Sequence, residues 1–293
     1  MKIGNKLLVM IITIAVLGIG ILLGTVLMIS QKQITLLVNN EVENLGDYEA
    51  SKILVWMNAR FSVARSLAQS MEAYEQIEPE DRRFFYTILL KQLAEANPEL
   101  AAVWTCWEPN ALDGLDARYA NTRESDATGR FISNCFRTPE GVQLRVVEDY
   151  TVSGPGDYYL VPLQTGNEAI TEPHLYNLDG TNTLLTSLAV PIKKNGRTIA
   201  VAGVDIALSE IQANALAIRP YEGSIAAVFT YGGRVAGHFD PSRVGKSLME
   251  TEREILGSHM TDFMDALKAG TDYSFSNSVV TNGVKSQFTI IST

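Results

Sequence analysis

Asp205 is the residue with the clearest potential for chemistry, because it follows the apolar, strand-like residues 199–204. A carboxylate at the end of such a strand is expected to be partly buried, and a buried charge needs a partner. An ammonium group or a ring N–H of a bound molecule would serve as that partner. A structural hydrogen bond to a neighbouring loop would serve as well, and the sequence leaves both interpretations open.

Aromatic side chains form the second group of candidates. Tyr158 and Tyr159 follow a glycine-containing turn, and their rings suit flat or cationic groups, which they attract by about 0.5–2 kcal/mol each. Consecutive side chains of a strand face opposite ways, so we expect one of the two to contact a bound molecule. The same alternation separates Trp104 from Trp107, and each of these is either a binding residue or a core residue.

Polar candidates complete the set. Arg130 has a planar guanidinium that suits a carboxylate or a ring carbonyl. The ordinary alternative is a salt bridge to one of three acids near it in the sequence, which are Asp113, Asp116 and Asp126. Tyr150 and Ser187 are further candidates for contacts with a bound molecule.

Signatures of catalysis and of metal binding are missing from the sequence. Its three histidines form no pair at metal-ligand spacing, and it has no G-x-S-x-G, phosphate-binding loop or C-x-x-C. We expect His238 in a surface turn and predict no enzyme activity, no cofactor and no metal. The two cysteines, Cys106 and Cys135, are either buried free thiols or, outside the cytoplasm, a disulfide.

The composition narrows the class of protein. The chain has 293 residues, of which 46% are hydrophobic and 19% charged, and a formal net charge of −9. This balance is too apolar for a disordered chain. It also argues against nucleic-acid binding, which requires a basic face.

Residues 7–29 form an uncharged apolar run that would reach roughly 35 Å as a helix, enough to cross a bilayer core. Lys2 and Lys6 precede it and favour a cytoplasmic N-terminus over residues 1–6. A cleaved signal peptide is the alternative, but its apolar core would be shorter, and residues 27–29 are bulky where cleavage needs small ones. We therefore predict a transmembrane anchor in the cell inner membrane, with the rest of the chain outside the cytoplasm.

A long helix is predicted over residues 30–76, because apolar residues recur there at steps of three and four. A second helix follows over residues 81–96 and ends before Pro98. Strand patterns and tight-turn signals dominate afterwards, with the strongest hairpin signal at Asn195-Gly196. The predicted strands are residues 101–107, 129–137, 184–192, 198–206, 224–230, 234–239, 273–275 and 284–291, with helices at 209–216 and 247–268.

These patterns together predict an α+β chain with two modules, each built around an antiparallel sheet. The first would cover residues 77–214 and the second residues 215–293.

Several short segments resemble the double Cache (dCache) sensor domains of chemoreceptors and sensor kinases. They are Trp107-Glu108-Pro109-Asn110, Gly156-Asp157-Tyr158-Tyr159, Glu172-Pro173, the strand ending in Pro191-Ile192, and Gly203-Val204-Asp205-Ile206. The resemblance extends from about residue 30 to the end of the chain. It rests on the order and spacing of these segments together with the apolar anchor and the long helix.

The resemblance implies two PAS-like modules on a long helix, with a small-molecule ligand in the membrane-distal module and Asp205 facing a ligand amine. It also implies a homodimer, a second transmembrane helix and a cytoplasmic signalling module beyond residue 293. The relatives that bind amino acids carry an arginine where this chain has Gly156. The ligand is expected to be a nitrogenous metabolite, and Gly156 favours one without an α-carboxylate, such as a purine or an amine, at least as much as an amino acid.

The output stays open between a chemotaxis receptor and a histidine kinase or cyclic-dinucleotide enzyme. A further alternative is a periplasmic interaction domain that binds no ligand.

Overall fold

The protein was analysed as a computed structural model that describes residues 3–178, 180–219, 225–281 and 284–290. Helix α1 runs over Ile3–Glu72 without a break, so it is about 105 Å long at 1.5 Å per residue. It is the one described helix long and apolar enough to cross a membrane, and its apolar window is fully exposed. The predicted anchor and long helix are thus one continuous element.

The last turns of α1 and helix α2, Pro79–Ala96, cover one face of a sheet. The buried α1 residues recur at steps of three and four along a single stripe, as an amphipathic helix requires: Phe61, Ala64, Leu67, Ala68 and Met71. Tyr86, Leu90 and Ala94 are the apolar residues that α2 buries.

A seven-stranded antiparallel sheet forms the body of the first half. Its strands are β1 Ala102–Trp107, β2 Ser133–Thr138, β3 Gly141–Val146, β4 Ala169–Ile170, β5 His174–Leu178, β6 Thr181–Lys194 and β7 Arg197–Ala207. They lie in the order β3-β2-β1-β7-β6-β4, and β5 also pairs with β6. Helix α3, Asp157–Thr165, packs on the face opposite to α1 and α2.

The predicted β6–β7 hairpin is confirmed. Asn195 and Gly196 both adopt positive φ, at 52° and 79°, as a two-residue turn of type I′ requires. This turn pairs Lys194 with Arg197, and a register shift between Ile192 and Lys193 then places Ser187 opposite Asp205.

The loop between β1 and β2 is held by a buried ion cluster around Arg83. Its guanidinium donates to Asp113 at 2.6 Å, to Asp116 at 2.7 Å, to the Ser125 hydroxyl and to the Gly129 carbonyl. Gly129 has φ of +75°, and a Cβ there would lie 1.9 Å from the Asp116 carbonyl oxygen. The loop therefore has one tightly specified path back to the sheet.

Helix α4, Leu208–Ala217, leads into a second group of elements. These are β8 Ala227–Phe229, β9 Val235–His238, α5 Leu248–Thr251, α6 Arg253–Leu256, α7 Met260–Ala269, β10 Tyr273–Thr281 and β11 Val284–Ile290. Their core contains Val235, Leu248, Leu256, Phe263, Leu267 and Phe275.

The single helix predicted over residues 247–268 is wrong. The segment divides into α5, α6, a 3₁₀ turn at Gly257–His259 and α7. Gly257, at φ of +51°, interrupts the helical path, since this conformation lies outside the right-handed helical region. The predicted strand ends at residues 224 and 291 lie outside the described residues.

The α+β fold, with a long N-terminal helix followed by antiparallel sheets, is confirmed. The division into modules after residue 214 stays a prediction.

Candidate functional site

A cavity opens on the face of the sheet covered by α3. It encloses about 230 Å³ of empty space, including its open mouth, and is lined by Trp104, Asn134, Val147, Tyr158, His174, Tyr176, Ser187 and Asp205. Five strands of the sheet, which are β1, β2, β5, β6 and β7, contribute lining residues, and α3 contributes Tyr158. The site is therefore positioned by rigid elements.

Strand register explains why these polar side chains meet. Trp104 lies opposite Gly203 on one side and opposite Asn134 on the other. Asp205 lies opposite Ser187. Directly opposed residues of antiparallel strands point to the same face, so all four polar groups project toward α3.

Asp205 is 6% exposed. Its Oδ1 accepts hydrogen bonds from Trp104 Nε1 at 2.8 Å and from Ser187 Oγ at 2.7 Å, whereas Oδ2 accepts none from the described residues. Burial raises the pKa of the carboxyl group; the two hydrogen bonds and the charges of His174 and Arg145 offset part of that shift. The site therefore contains a buried carboxylate that has one unused acceptor oxygen and no ion-pair partner among the described residues.

Asn134 adds a second acceptor. It is 2% exposed, and its Oδ1 is buried and accepts no hydrogen bond from the part of the chain that the structure describes. A buried carbonyl oxygen without a donor costs on the order of 1–3 kcal/mol. Two neighbouring acceptors in one cavity suit a molecule that brings N–H groups.

Gly203 makes room for the Trp104 ring. A Cβ at this position would lie 2.3 Å from Cζ2 and 2.6 Å from Cε2 of Trp104. The indole can lie across the strand and reach Asp205 only because residue 203 has no side chain.

Tyr158 lines the cavity from the first turn of α3. Its ring packs edge-on against Trp104, with centroids 5.0 Å apart, and its hydroxyl donates to the Glu148 carbonyl. Burial raises the pKa of Tyr158, so the phenol stays neutral. The strand alternation expected for Tyr158 and Tyr159 is wrong, since both residues belong to a helix.

Tyr159 points into a separate polar cluster with Arg130 and Glu108. Its hydroxyl donates to Glu108, and Arg130 donates to the Tyr159 hydroxyl, to Glu108 at 3.1 Å and to the Trp107 carbonyl at 2.7 Å. Tyr150 packs its ring 4.9 Å from the Arg130 guanidinium. Arg130, Tyr150 and Tyr159 are not among the residues lining the Asp205 cavity.

Arg130 does form a salt bridge, but none of the three predicted acids is its partner. Arg83 occupies Asp113 and Asp116, and Asp126 accepts a 2.7 Å hydrogen bond from Tyr150. Arg130 pairs with Glu108 instead.

Trp107 lies on the opposite face of the sheet from Trp104. It is fully buried and packs against Tyr74 at 5.2 Å and Tyr86 at 6.4 Å between ring centroids. The structure therefore places Trp107 in the core under α1 and α2, away from the cavity.

Cys106 and Cys135 are free and buried. Cys135 lies opposite Val103, and residues 103 and 106 point to opposite faces of β1. The disulfide alternative is therefore wrong. Burial also raises the pKa of Cys135 to about 12.

His238 is not in a surface turn, as expected from the sequence, but 2% exposed at the end of β9. Its Nε2 lies 3.5 Å from Glu252. Among the described residues, no group of three or more His, Cys, Asp or Glu side chains could hold a metal ion.

The sequence missed four residues of the cavity: Asn134, Val147, His174 and Tyr176. Asn134 lies on the cavity side of β2 because it is paired with Trp104 of β1. This pairing joins segments that are far apart in the sequence, so it could not be predicted. His174 directly follows the Glu172-Pro173 segment, which is the one local signal that pointed near the site.

Comparisons with known proteins agree on a sensor domain. Residues 86–213 match the family described as methyl-accepting chemotaxis protein-like, first PDC sensor domain. The methyl-accepting chemotaxis protein TlpQ of Pseudomonas aeruginosa strain PAO1 is 26% identical over 257 residues, which are 80% of this chain and 35% of that protein. The chain thus spans about a third of the length of this curated relative.

Two solved structures are similar over most of the chain. The extracellular domain of the putative histidine kinase mmHK1S-Z2 is 27% identical, with a TM-score of 0.73 over 86% of this chain and 90% of that one. The corresponding domain of mmHK1S-Z3 is 25% identical, with a TM-score of 0.68 over 80% of each chain.

Proposed function

We propose that the chain senses a small nitrogenous metabolite outside the cytoplasm, through the region of residues 86–213 that matches the first PDC sensor domain of methyl-accepting chemotaxis proteins. The metabolite binds in the cavity at Asp205, within the membrane-distal module of a transmembrane receptor. It is a purine, an amine or an amino acid.

The observation that carries this proposal is the pair of acceptors that lack donors, Asp205 Oδ2 and Asn134 Oδ1. N–H groups of a ligand would donate to these acceptors, and an ammonium group would in addition give the buried carboxylate an ion-pair partner. The aromatic rings of Trp104, Tyr158 and Tyr176 surround the same space and favour a cationic or planar nitrogen compound.

The size of the cavity favours a small ligand. Its roughly 230 Å³ include the open mouth, so the space that the side chains enclose is smaller than this. A ligand larger than a single small metabolite would require the lining side chains to move.

A thermal-shift screen of the full chain in detergent against purines, amines and amino acids tests the proposal. A ligand that binds only the folded state raises the melting temperature. At a hundredfold excess over Kd it adds about 2.7 kcal/mol to the free energy of unfolding. The shift should vanish in Asp205→Asn. If the wild-type chain responds to no compound of the panel, the alternative of a ligand-free interaction domain is supported.

Two contacts support a mechanical link from the cavity to the second group of elements. Glu172 accepts hydrogen bonds from the Thr230 hydroxyl at 2.7 Å and from the Gly232 amide at 3.1 Å. The neighbouring Thr171 binds the main chain of Ser187, whose side chain holds Asp205. A shift of the cavity wall would thus reach the β8–β9 turn.

The second link is helix α4, which starts three residues after Asp205. Its Gln212 accepts a 2.7 Å hydrogen bond from the His238 amide and donates to the His238 carbonyl. This two-point attachment makes α4 and β9 move together.

We infer that the signal leaves as a displacement of α1 against the same helix of a second protomer, in a homodimer. Helix-shift transitions typically involve about 1–2 Å. Disulfide cross-linking between cysteines introduced along residues 34–45 measures it. Cross-linking patterns that do not change with ligand count against the mechanism.

The output module is open between two classes. TlpQ is a chemotaxis protein, whereas the two solved structures described above come from putative histidine kinases. Either class requires a cytoplasmic signalling module, and the chain would be anchored in the inner membrane by the apolar part of α1.

A further inference from the structure

Arg145 shares the face of the sheet that forms the cavity. It lies in β3 directly opposite Asn134 of β2, and Asn134 lies opposite Trp104 of β1. The three side chains therefore form a row across neighbouring strands and point the same way. The charge of Arg145 also acts on Asp205, whose pKa it lowers.

The guanidinium of Arg145 is held between two aromatic rings. Its central carbon lies 4.3 Å from the Phe136 ring centroid and 4.6 Å from that of Tyr176, a residue of the cavity wall. One nitrogen, Nη1, donates a 2.8 Å hydrogen bond to the Asn177 carbonyl. The group is thus fixed in orientation beside the cavity.

The other edge of this guanidinium has no acceptor. Nε and Nη2 of Arg145 are both buried and hydrogen-bonded to no described residue. In the same chain, Arg65 and Arg83 each use this Nε–Nη2 edge to bind both oxygens of one carboxylate, Glu168 and Asp113 respectively. Buried charged donors without an acceptor destabilise the protein. A carboxylate or another planar acceptor placed at this edge would remove that cost.

We propose that Arg145 is a specificity residue that binds an acceptor group of the ligand, a carboxylate or a ring carbonyl, while Asp205 binds the ligand's nitrogen. This inference rests on the proposed function and narrows it. The ligand carries a donor at one end and an acceptor at the other, as an amino acid or an oxopurine does. A simple amine satisfies Asp205 and leaves Arg145 without a partner.

Matched pairs of probes test this with the full chain in detergent. Each pair shares its nitrogen groups or ring and differs in the acceptor: L-lysine and 1,5-diaminopentane, L-phenylalanine and 2-phenylethylamine, hypoxanthine and purine. Calorimetry on the wild type should show tighter binding of the acceptor-bearing member of at least one pair. Arg145→Gln should weaken that member by about 10- to 100-fold and its matched probe by no more than about twofold.

Two further variants separate recognition from folding. Arg145→Lys keeps the charge but not the planar fork, so it should bind the acceptor-bearing probe with intermediate affinity. Arg118→Gln removes a positive charge at an exposed position and should change neither affinity. A melting temperature for every variant shows whether a loss of binding follows a loss of structure.

If Arg145→Gln weakens the binding of both members of a pair equally, the proposal is overturned. Arg145 would then only hold Tyr176 in place and would not contact the ligand's acceptor group. Binding only of probes that lack the acceptor would also overturn it, while leaving the proposed function intact. Binding of no probe at all would count against both.

Discussion

Trp104 Nε1 donates a 2.8 Å hydrogen bond to Oδ1 of Asp205, from one strand of the sheet to its neighbour. Ser187 donates to the same oxygen. One oxygen of the carboxylate is therefore used by the fold, and the other is left for a molecule from outside. The carboxylate is thus oriented before a ligand arrives, which reduces the ordering cost of binding.

Replacing Asp205 by Asn should stabilise the ligand-free protein at pH 7 and abolish ligand binding. Burial raises the pKa of Asp205 above its ordinary 3.8, so its contribution to stability is fully present below that pH and is lost as pH rises through the folded-state pKa. An amide keeps an acceptor for Trp104 and Ser187 without the charge. Urea unfolding should show a gain in stability, with Asp265→Asn as an exposed control. A less stable Asp205→Asn chain would contradict this.

The affinity for a cationic ligand should fall as the pH is lowered through the raised pKa of Asp205, because the protonated carboxyl no longer attracts an ammonium. Calorimetry between about pH 4 and 8, from the ordinary carboxyl range upward, measures the slope. His174→Gln, which changes the cavity wall but leaves the carboxylate, should keep it. An affinity that rises on acidification would exclude a cation at this carboxylate.

Gly203→Ala should damage the site without touching a polar group. The new Cβ would meet Trp104 Cζ2 at 2.3 Å and the Leu188 carbonyl oxygen at 2.8 Å, so the indole must leave Asp205. We expect about 1–3 kcal/mol of destabilisation from overpacking and a loss of binding, seen by urea unfolding and calorimetry. Restored binding in a double variant with a smaller residue at 104 would show that the indole itself is dispensable.

Arg83→Met should be the most destabilising of these changes, because it leaves the buried carboxylates of Asp113 and Asp116 without their partner. Removing one member of a buried ion pair costs about 3–5 kcal/mol. Chemical unfolding measures it, with Arg118→Met as the exposed control. A change below about 1 kcal/mol would show that the cluster behaves like a surface ion pair.

Glu172→Ala should uncouple sensing from signalling. The variant keeps the cavity residues but loses the hydrogen bonds to Thr230 and Gly232, so ligand affinity should stay within about threefold while the ligand-dependent cross-linking along α1 weakens. Thr230→Ala removes one of the same bonds and should act in the same direction, while Glu80→Gln, at an exposed position, should do neither. If the ligand-dependent cross-linking is unchanged in Glu172→Ala, the signal passes from the cavity through α4 and not through Glu172.

Local signals in the sequence were enough to predict most helices and strands in the first half of the chain. Strand alternation separated Trp104 from Trp107, and Asn195-Gly196 specified the turn of the β6–β7 hairpin. These features depend on residues close together in the chain, whose conformational preferences can be read directly.

Features that depend on distant segments could not be read. Asn134 reaches the cavity through pairing of β1 with β2, and Arg145 lies beside Asn134 through pairing of β2 with β3. A single sequence does not reveal either pairing. Helix α3 was missed because Gly154, Gly156 and Pro162 signal a turn. Pro162 is tolerated within the nine-residue helix, and the tertiary packing of Tyr158 and Tyr159 outweighs the local preference.

A crystal structure of the sensor region with a ligand identified by the thermal-shift screen tests the central claim most directly. We predict the ligand between Trp104 and Tyr158, with a nitrogen within hydrogen-bond distance of Asp205 Oδ2. A ligand bound elsewhere, or a cavity closed by its own side chains in the liganded protein, would contradict it.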